Sequence, residues 1–182
     1  TLDGSQTHKL VLEGLFGTVE KVVSTKELID KNTLAKLKIK CIVLKHPSIR
    51  ERMDYAEEID YLVSKETRNK FILDLCKTIS GNTLCLFQLV EKHGKILYDG
   101  MKGGENVYFV YGGTDTDQRE KIRGMVEGHT KSTTIASYGT FSTGINIRNI
   151  NNIVLASPSK SKIRVLQSIG RGLRTSSTKD SI

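Results

Sequence analysis

Arg164, Gln167, Arg171 and Arg174 recur at three- and four-residue spacing near the C-terminal end of the chain. On an α-helix this spacing places side chains on successive turns of one side. Three guanidiniums and an amide on a rigid element present planar donor forks to an anion. Phosphate fits those forks, whether it belongs to a nucleotide or to a nucleic acid. A second set lies upstream, in Ser137-Tyr-Gly-Thr-Phe-Ser-Thr-Gly-Ile-Asn-Ile147. The hydroxyls of Ser137, Thr140, Ser142 and Thr143, with free backbone N–H groups, suit successive phosphates of a strand whose bases go unread. Gly144 permits close backbone approach, and Asn146 offers an amide to a ribose or to a neighbouring side chain. Alone, this loop reads as well as a solvated Ser/Thr/Gly turn.

Weaker candidates stand elsewhere. Gly112 and Gly113 follow an apolar run and can expose amides to a phosphate, although Gly-Gly is also ordinary turn punctuation. His93, between Lys92 and Lys95, and Gln88 just before it, could touch a strand's phosphates; a surface histidine is the plainer reading. His8, His46 and His129 have no companions at metal-ligand spacing, so no metal site is expected.

The charge distribution supports a polyanion. The chain has 182 residues and a formal net charge of +8. From Gly128 to Lys179 every charged side chain is basic: Lys131, Arg148, Lys160, Lys162, Arg164, Arg171, Arg174 and Lys179. The whole excess therefore sits in that one segment, which points to a nucleic acid or a nucleotide. No apolar run approaches the ~20 residues of a membrane span. Cys41, Cys76 and Cys85 are unclustered within apolar stretches, as buried thiols of a reducing cytoplasm would be.

The elements that must position these residues follow from period and punctuation. Residues 1–36 lack a sustained period and read as a linker, with Ser24-x-x-Glu27 capping a short helix to about Lys31. Ile39–Leu44 is an apolar run suited to a strand, and Ser48-x-x-Glu51 would cap a charged helix continuing to about Val63. Lys65–Ile79 has a helical period and stops at Gly81. Strands are then expected at Thr83–Phe87, Val107–Val110, Thr133–Ala136 and Ile153–Ala156. Helices are expected at Glu91–Met101, after Asp115, and over Ser161–Arg174, where Ile163, Leu166, Ile169 and Leu173 would form the core face. Strand–helix alternation with short connections predicts an α/β fold, a parallel sheet with helices on both faces. Ligands of such sheets bind at the carboxyl ends of the strands. No G-x-x-x-x-G-K-[ST] loop occurs, and no acidic pair ends an apolar strand to hold Mg²⁺.

The ordered segments resemble the second RecA-like domain of superfamily 2 helicases and translocases. Residues 137–147 resemble motif V, and Gln167-Ser-Ile-Gly-Arg-Gly-Leu-Arg174 resembles motif VI, a specific signal. Thr83–His93 and Val107–Arg119 resemble motifs IV and IVa. The runs Ser142-Thr-Gly-Ile-Asn-Ile147 and Ser161-Lys-Ile163 most resemble the UvsW-type DNA helicases of tailed phages.

The resemblance implies arginine fingers at Arg171 and Arg174, and a polar phosphate contact at Gln167. It implies nucleotide contacts at Gly144 and Asn146. Strand contacts are implied at Gln88, His93, Gly112, Ser137, Thr140, Ser142 and Thr143. ATP and Mg²⁺ would be bound mainly by a first RecA-like domain, of which Thr1–Ser5 resembles a remnant. Gln167 stands where the DEAD-box branch has His, and Asn146 replaces that branch's acid; both favour DNA, branched or single-stranded, over RNA. The expected organisation is a linker over 1–36 and a RecA-like domain over 37–182 without its final strand. The expected function is the C-terminal motor domain of an ATP-dependent DNA helicase in phage recombination, repair or fork remodelling, in the host cytoplasm and inactive by itself. Another superfamily 2 motor, or a non-catalytic nucleic-acid-binding module of the same fold, remains open.

Overall fold

Alternate residues of the run Leu84-Cys85-Leu86-Phe87 enter two different cores. Leu84 and Leu86 pack with Val110, Val126, Ala136, Tyr138, Ile147 and Ile150. Cys85 and Phe87 pack with Ile72, Cys76, Leu97, Met101, Ile135 and Ala156. A strand that is apolar on both faces must lie inside a sheet covered on both sides. Each fully buried aliphatic or aromatic side chain contributes roughly 1.5–3 kcal/mol, so these two layers dominate the stability of the domain. The computed structural model describes residues 6–20, 22–45, 52–143 and 147–175.

The sheet has four parallel strands, β1 (Asn82–Phe87), β2 (Val107–Val110), β3 (Ser132–Ser137) and β4 (Asn152–Leu155), in the order β2-β3-β1-β4. The helices are α1 (Gln6–Phe16), α2 (Thr25–Asp30), α3 (Tyr55–Ser64), α4 (Glu66–Thr78), α5 (Lys95–Asp99), α6 (Thr116–Gly128), α7 (Tyr138–Thr143) and α8 (Lys162–Gly172). The α/β class, the parallel sheet and its two helical layers are those expected from the sequence. All four strands run the same way, so the loops after β1, β2, β3 and β4 leave from one edge of the sheet.

Local chemistry accounts for the helix starts. Ser24 and Glu27 form a complete capping box on α2, and Asp54 and Glu57 form another on α3. Asp115 accepts from the Gln118 N–H at 2.8 Å to open α6, and Ser161 accepts from the Arg164 N–H at 3.3 Å to open α8. The opposite edge of the sheet is fastened by Asn82, buried at the start of β1. Its amide nitrogen donates to the carbonyls of Val126, His129 and Asn149, and its carbonyl oxygen accepts from the Ser132 hydroxyl at 2.7 Å.

Several expectations are corrected. Ile39–Leu44 is not a strand: Leu37–Lys45 is irregular, with Ile39 and Val43 largely exposed, because the segment has no ladder partner. Cys41 is consequently exposed, while Cys76 and Cys85 are buried as expected. The Ser48–Glu51 cap lies outside the described residues, and α3 is capped by Asp54 instead. The segment expected as one helix from Glu91 begins with a π-helical turn, Val90–Gly94, before α5. Gly94 is required there, since a Cβ would fall 2.5 Å from the Phe87 ring. Residues 6–16, where no sustained period is read, form the helix α1, whose apolar side chains Leu10, Leu15 and Phe16 are exposed.

Candidate nucleotide and nucleic-acid interface

The arginine helix α8 is seated differently from its apolar pattern. Its buried positions are Ser168 and Gly172, one turn apart, with Leu173 just beyond; Leu166 is about half exposed and Ile163 and Ile169 are half-buried. Small residues on the inner face allow a close approach to the neighbouring elements, and α8 packs against α7 and β4. Ile169 instead lines an open groove of about 1470 Å³ between Leu37–Lys45, α4 and the β4 edge. Of the basic stripe, Gln167 and Arg174 are exposed, and Arg164 and Arg171 half-buried.

Arg171 and Arg174 occupy the C-terminal end of α8, where the helix dipole favours cations. Burial and the neighbouring Arg174 charge both pull the Arg171 pKa below its usual value. This end of the helix is also tied to the preceding segment. The Ala35 N–H donates to the Leu173 carbonyl at 2.8 Å, and Leu34 bridges Arg174 in antiparallel fashion.

The remaining candidates lie on the loops at the carboxyl edge of the sheet. After β1, the Gln88 side chain is exposed while its N–H donates to Ser157 Oγ at 3.1 Å. His93, expected at a phosphate, is fully buried: Nδ1 lies 2.8 Å from Ser157 Oγ and Nε2 lies 3.2 Å from Asn69 Oδ1. Its ring does not reach the surface. Burial, with the Arg68 charge, lowers its pKa to about 4, so it stays neutral. After β2, Gly112 is exposed and its carbonyl accepts from the Arg119 guanidinium at 3.0 Å. A Cβ at Gly112 would meet no atom of this chain within 4 Å, so packing does not demand glycine there.

After β3, the expected hydroxyl loop begins as α7. Ser137 Oγ and Thr140 Oγ1 lie 2.7 Å apart, and both residues are buried. These two hydroxyls satisfy each other and do not point at solvent. Ser142 and Thr143 complete α7, and Gly144 and Asn146 lie outside the described residues. Tyr138, which the sequence reading left unused, donates its hydroxyl to the Ser157 carbonyl at 2.9 Å, and burial pushes its pKa up to about 12. Arg68 of α4 likewise donates to the Ala156 carbonyl. Arg68 belongs to none of the motif-like segments and Tyr138 is an apolar-looking member of one, so only contacts across the sheet reveal their roles.

Residues 56–176 match the model of the helicase conserved C-terminal domain. The chain belongs to that family. It is a second RecA-like domain of the superfamily 2 helicase family, and the residues that resemble motifs V and VI lie in the β3–α7 segment and in α8. The chain is also similar to the ATP-dependent DNA helicase uvsW of Enterobacteria phage T4, at 37% identity over 174 residues. That match covers 91% of this chain and 34% of the phage protein, so the chain spans about a third of the relative's length. Among the described residues no group of three or more His, Cys, Asp or Glu stands together as a metal cage, and no helix is long and apolar enough to cross a membrane.

Proposed function

We propose that this helicase domain is the second motor half of an ATP-dependent DNA helicase or translocase acting in phage recombination, repair or fork remodelling. The paired guanidiniums of Arg171 and Arg174 at the end of α8 carry the reading. Arg171 stands one turn after Gln167 in the last turn of α8, and Arg174 just beyond it. In such a motor the two arginines face the phosphates of ATP across a cleft, with Mg²⁺ and most nucleotide contacts supplied by a first RecA-like domain. ATP hydrolysis supplies the free-energy drop that opens and closes that cleft. Arg171 and Arg174 orient and neutralise the terminal phosphate, an interaction worth about 10³–10⁵ in rate for arginine fingers of related phosphoryl-transfer enzymes. The exposed Gln88 and Gly112, with Ser142 and Thr143 of motif V, contact the DNA backbone or relay the nucleotide state to it, and Gly144 and Asn146 contact the nucleotide. Ser137 and Thr140 act one step back, by shaping α7. DNA gripped through phosphates implies binding that weakens steeply with salt.

Arg171→Ala in the intact polypeptide that carries this chain tests the assignment. ATP hydrolysis is expected to fall at least a hundredfold while equilibrium binding of ATP stays within about threefold, the pattern of a group that acts in the transition state. Near-normal hydrolysis removes the finger role. A wild-type polypeptide that binds DNA but neither binds nor hydrolyses ATP favours a non-catalytic nucleic-acid-binding module of the same fold.

A further inference from the structure

Ser157 begins the loop that carries the chain from β4 into the arginine helix, four residues before its cap Ser161. It is 3% exposed, and its backbone and hydroxyl are all engaged. Its N–H donates to the Leu86 carbonyl at 3.3 Å, and its own carbonyl accepts from the Tyr138 hydroxyl at 2.9 Å. Its Oγ accepts from the Gln88 N–H and lies 2.8 Å from His93 Nδ1.

The direction of that last bond follows from its neighbours. Asn69 donates its Nδ2 to the Val63 carbonyl at 2.7 Å, which leaves Asn69 Oδ1 facing His93 Nε2. A carbonyl oxygen has no proton to give, so Nε2 carries the ring hydrogen. Nδ1 of the neutral ring is then an acceptor, and Ser157 Oγ–H donates to it. The hydroxyl therefore receives one hydrogen bond from the loop after β1 and gives one to a ring lodged against α4. A methyl group in its place could do neither.

We propose that Ser157 is a positioning residue that couples the strand-facing loops of this domain to the arginine helix. Three of the four carboxyl-edge loops meet on this one side chain and its backbone: that after β1 through Gln88, that after β3 through Tyr138, and its own. The rest of the Ser157 loop is short and held. Lys160 Nζ sits 3.5 Å over the Tyr55 ring of α3, and Ser161 caps α8. A loop pinned in this way passes a displacement on to the helix and does not absorb it. Movement of the Gln88 loop when a phosphate backbone engages thus shifts Ser157 and, through it, the base of α8. This inference rests on the motor reading above.

Ser157→Thr and Ser157→Val test it, because both add the same volume and differ only in hydroxyl against methyl. ATP hydrolysis by the intact polypeptide is measured across an ATP titration with and without single-stranded DNA, alongside the thermal midpoint. Orphaning a buried donor and a buried acceptor at once should lower the ratio of DNA-stimulated to unstimulated hydrolysis about tenfold in Ser157→Val, in kcat and not in KM for ATP, while Ser157→Thr stays within about twofold of wild type. A purely structural role lowers both rates in proportion and leaves the ratio alone. If the added volume prevents either variant from folding, Ser157→Ala is read by the same ratio, and an unchanged ratio there overturns the coupling role. Equal ratios for the Thr and Val variants also overturn it. A wild-type polypeptide whose hydrolysis DNA does not stimulate overturns the motor reading itself, and this inference with it.

Discussion

Replacing His93 by Gln should flatten the acid side of this domain's stability profile. The native imidazole has a pKa of about 4 against 6.5 in an unfolded chain, because burial and the Arg68 charge disfavour the imidazolium. As pH falls from about 6.5 to about 4, the unfolded chain takes up a proton that the native state refuses. Native stability from this group is therefore complete above pH 6.5 and is lost as pH drops toward 4. The loss is about 1.4 kcal/mol per pH unit, or roughly 3 kcal/mol over the whole window, with roughly 2 kcal/mol already gone at pH 5. Glutamine is neutral throughout and keeps a donor and an acceptor, so its variant lacks this slope even if it is less stable at pH 7.5. Urea unfolding followed by circular dichroism at pH 7.5, 6.0 and 5.0 measures the difference. Parallel stability profiles for wild type and His93→Gln would refute the reasoning. So would a ring that titrates near 6.5 in an NMR pH series, since it would place the imidazole in solvent.

Two further outcomes follow from packing. Gly94→Ala forces a methyl to within 2.5 Å of the Phe87 ring, which is itself fully buried and stacked on Phe109 with centroids 5.6 Å apart. That ring cannot yield, so a loss of about 1–3 kcal/mol is expected in chemical denaturation. Asn82→Ala removes the amide that serves three carbonyls and the Ser132 hydroxyl, and should cost about 2–3 kcal/mol, seen as a lowered thermal midpoint.

Strand and helix identity was largely legible because the signals are local. β2 matches its expected bounds and the other strands differ by no more than one residue at each end, since short apolar runs between turn residues mark buried strands. The caps at Ser24 and Asp115 are likewise read from three-residue spacings. The misses share a cause. Leu37–Lys45 has strand composition, but a strand exists only where an edge pairs with it. The α8 pattern names an apolar face at Ile163, Leu166 and Ile169, yet small Ser168 and Gly172 decide which side approaches the domain. His93 looked exposed between lysines because its partners, Asn69 and Ser157, stand 24 and 64 residues away.

What the sequence by itself determined is the α/β alternation, the family and the order of its motifs, with Arg171 and Arg174 at the end of a helix. Those depend on residues close together along the chain: a period of two or 3.6, a capping pair, the spacing Gln167–Arg171–Arg174. Only the tertiary structure decided that Ser137 and Thr140 bond to each other, that His93 is buried and neutral, and that Ser157 gathers three loops. Hydrogen-bond satisfaction in a buried site depends on distance in space and on the absence of water. Neither can be computed from neighbours in the chain until the sheet has brought distant segments together.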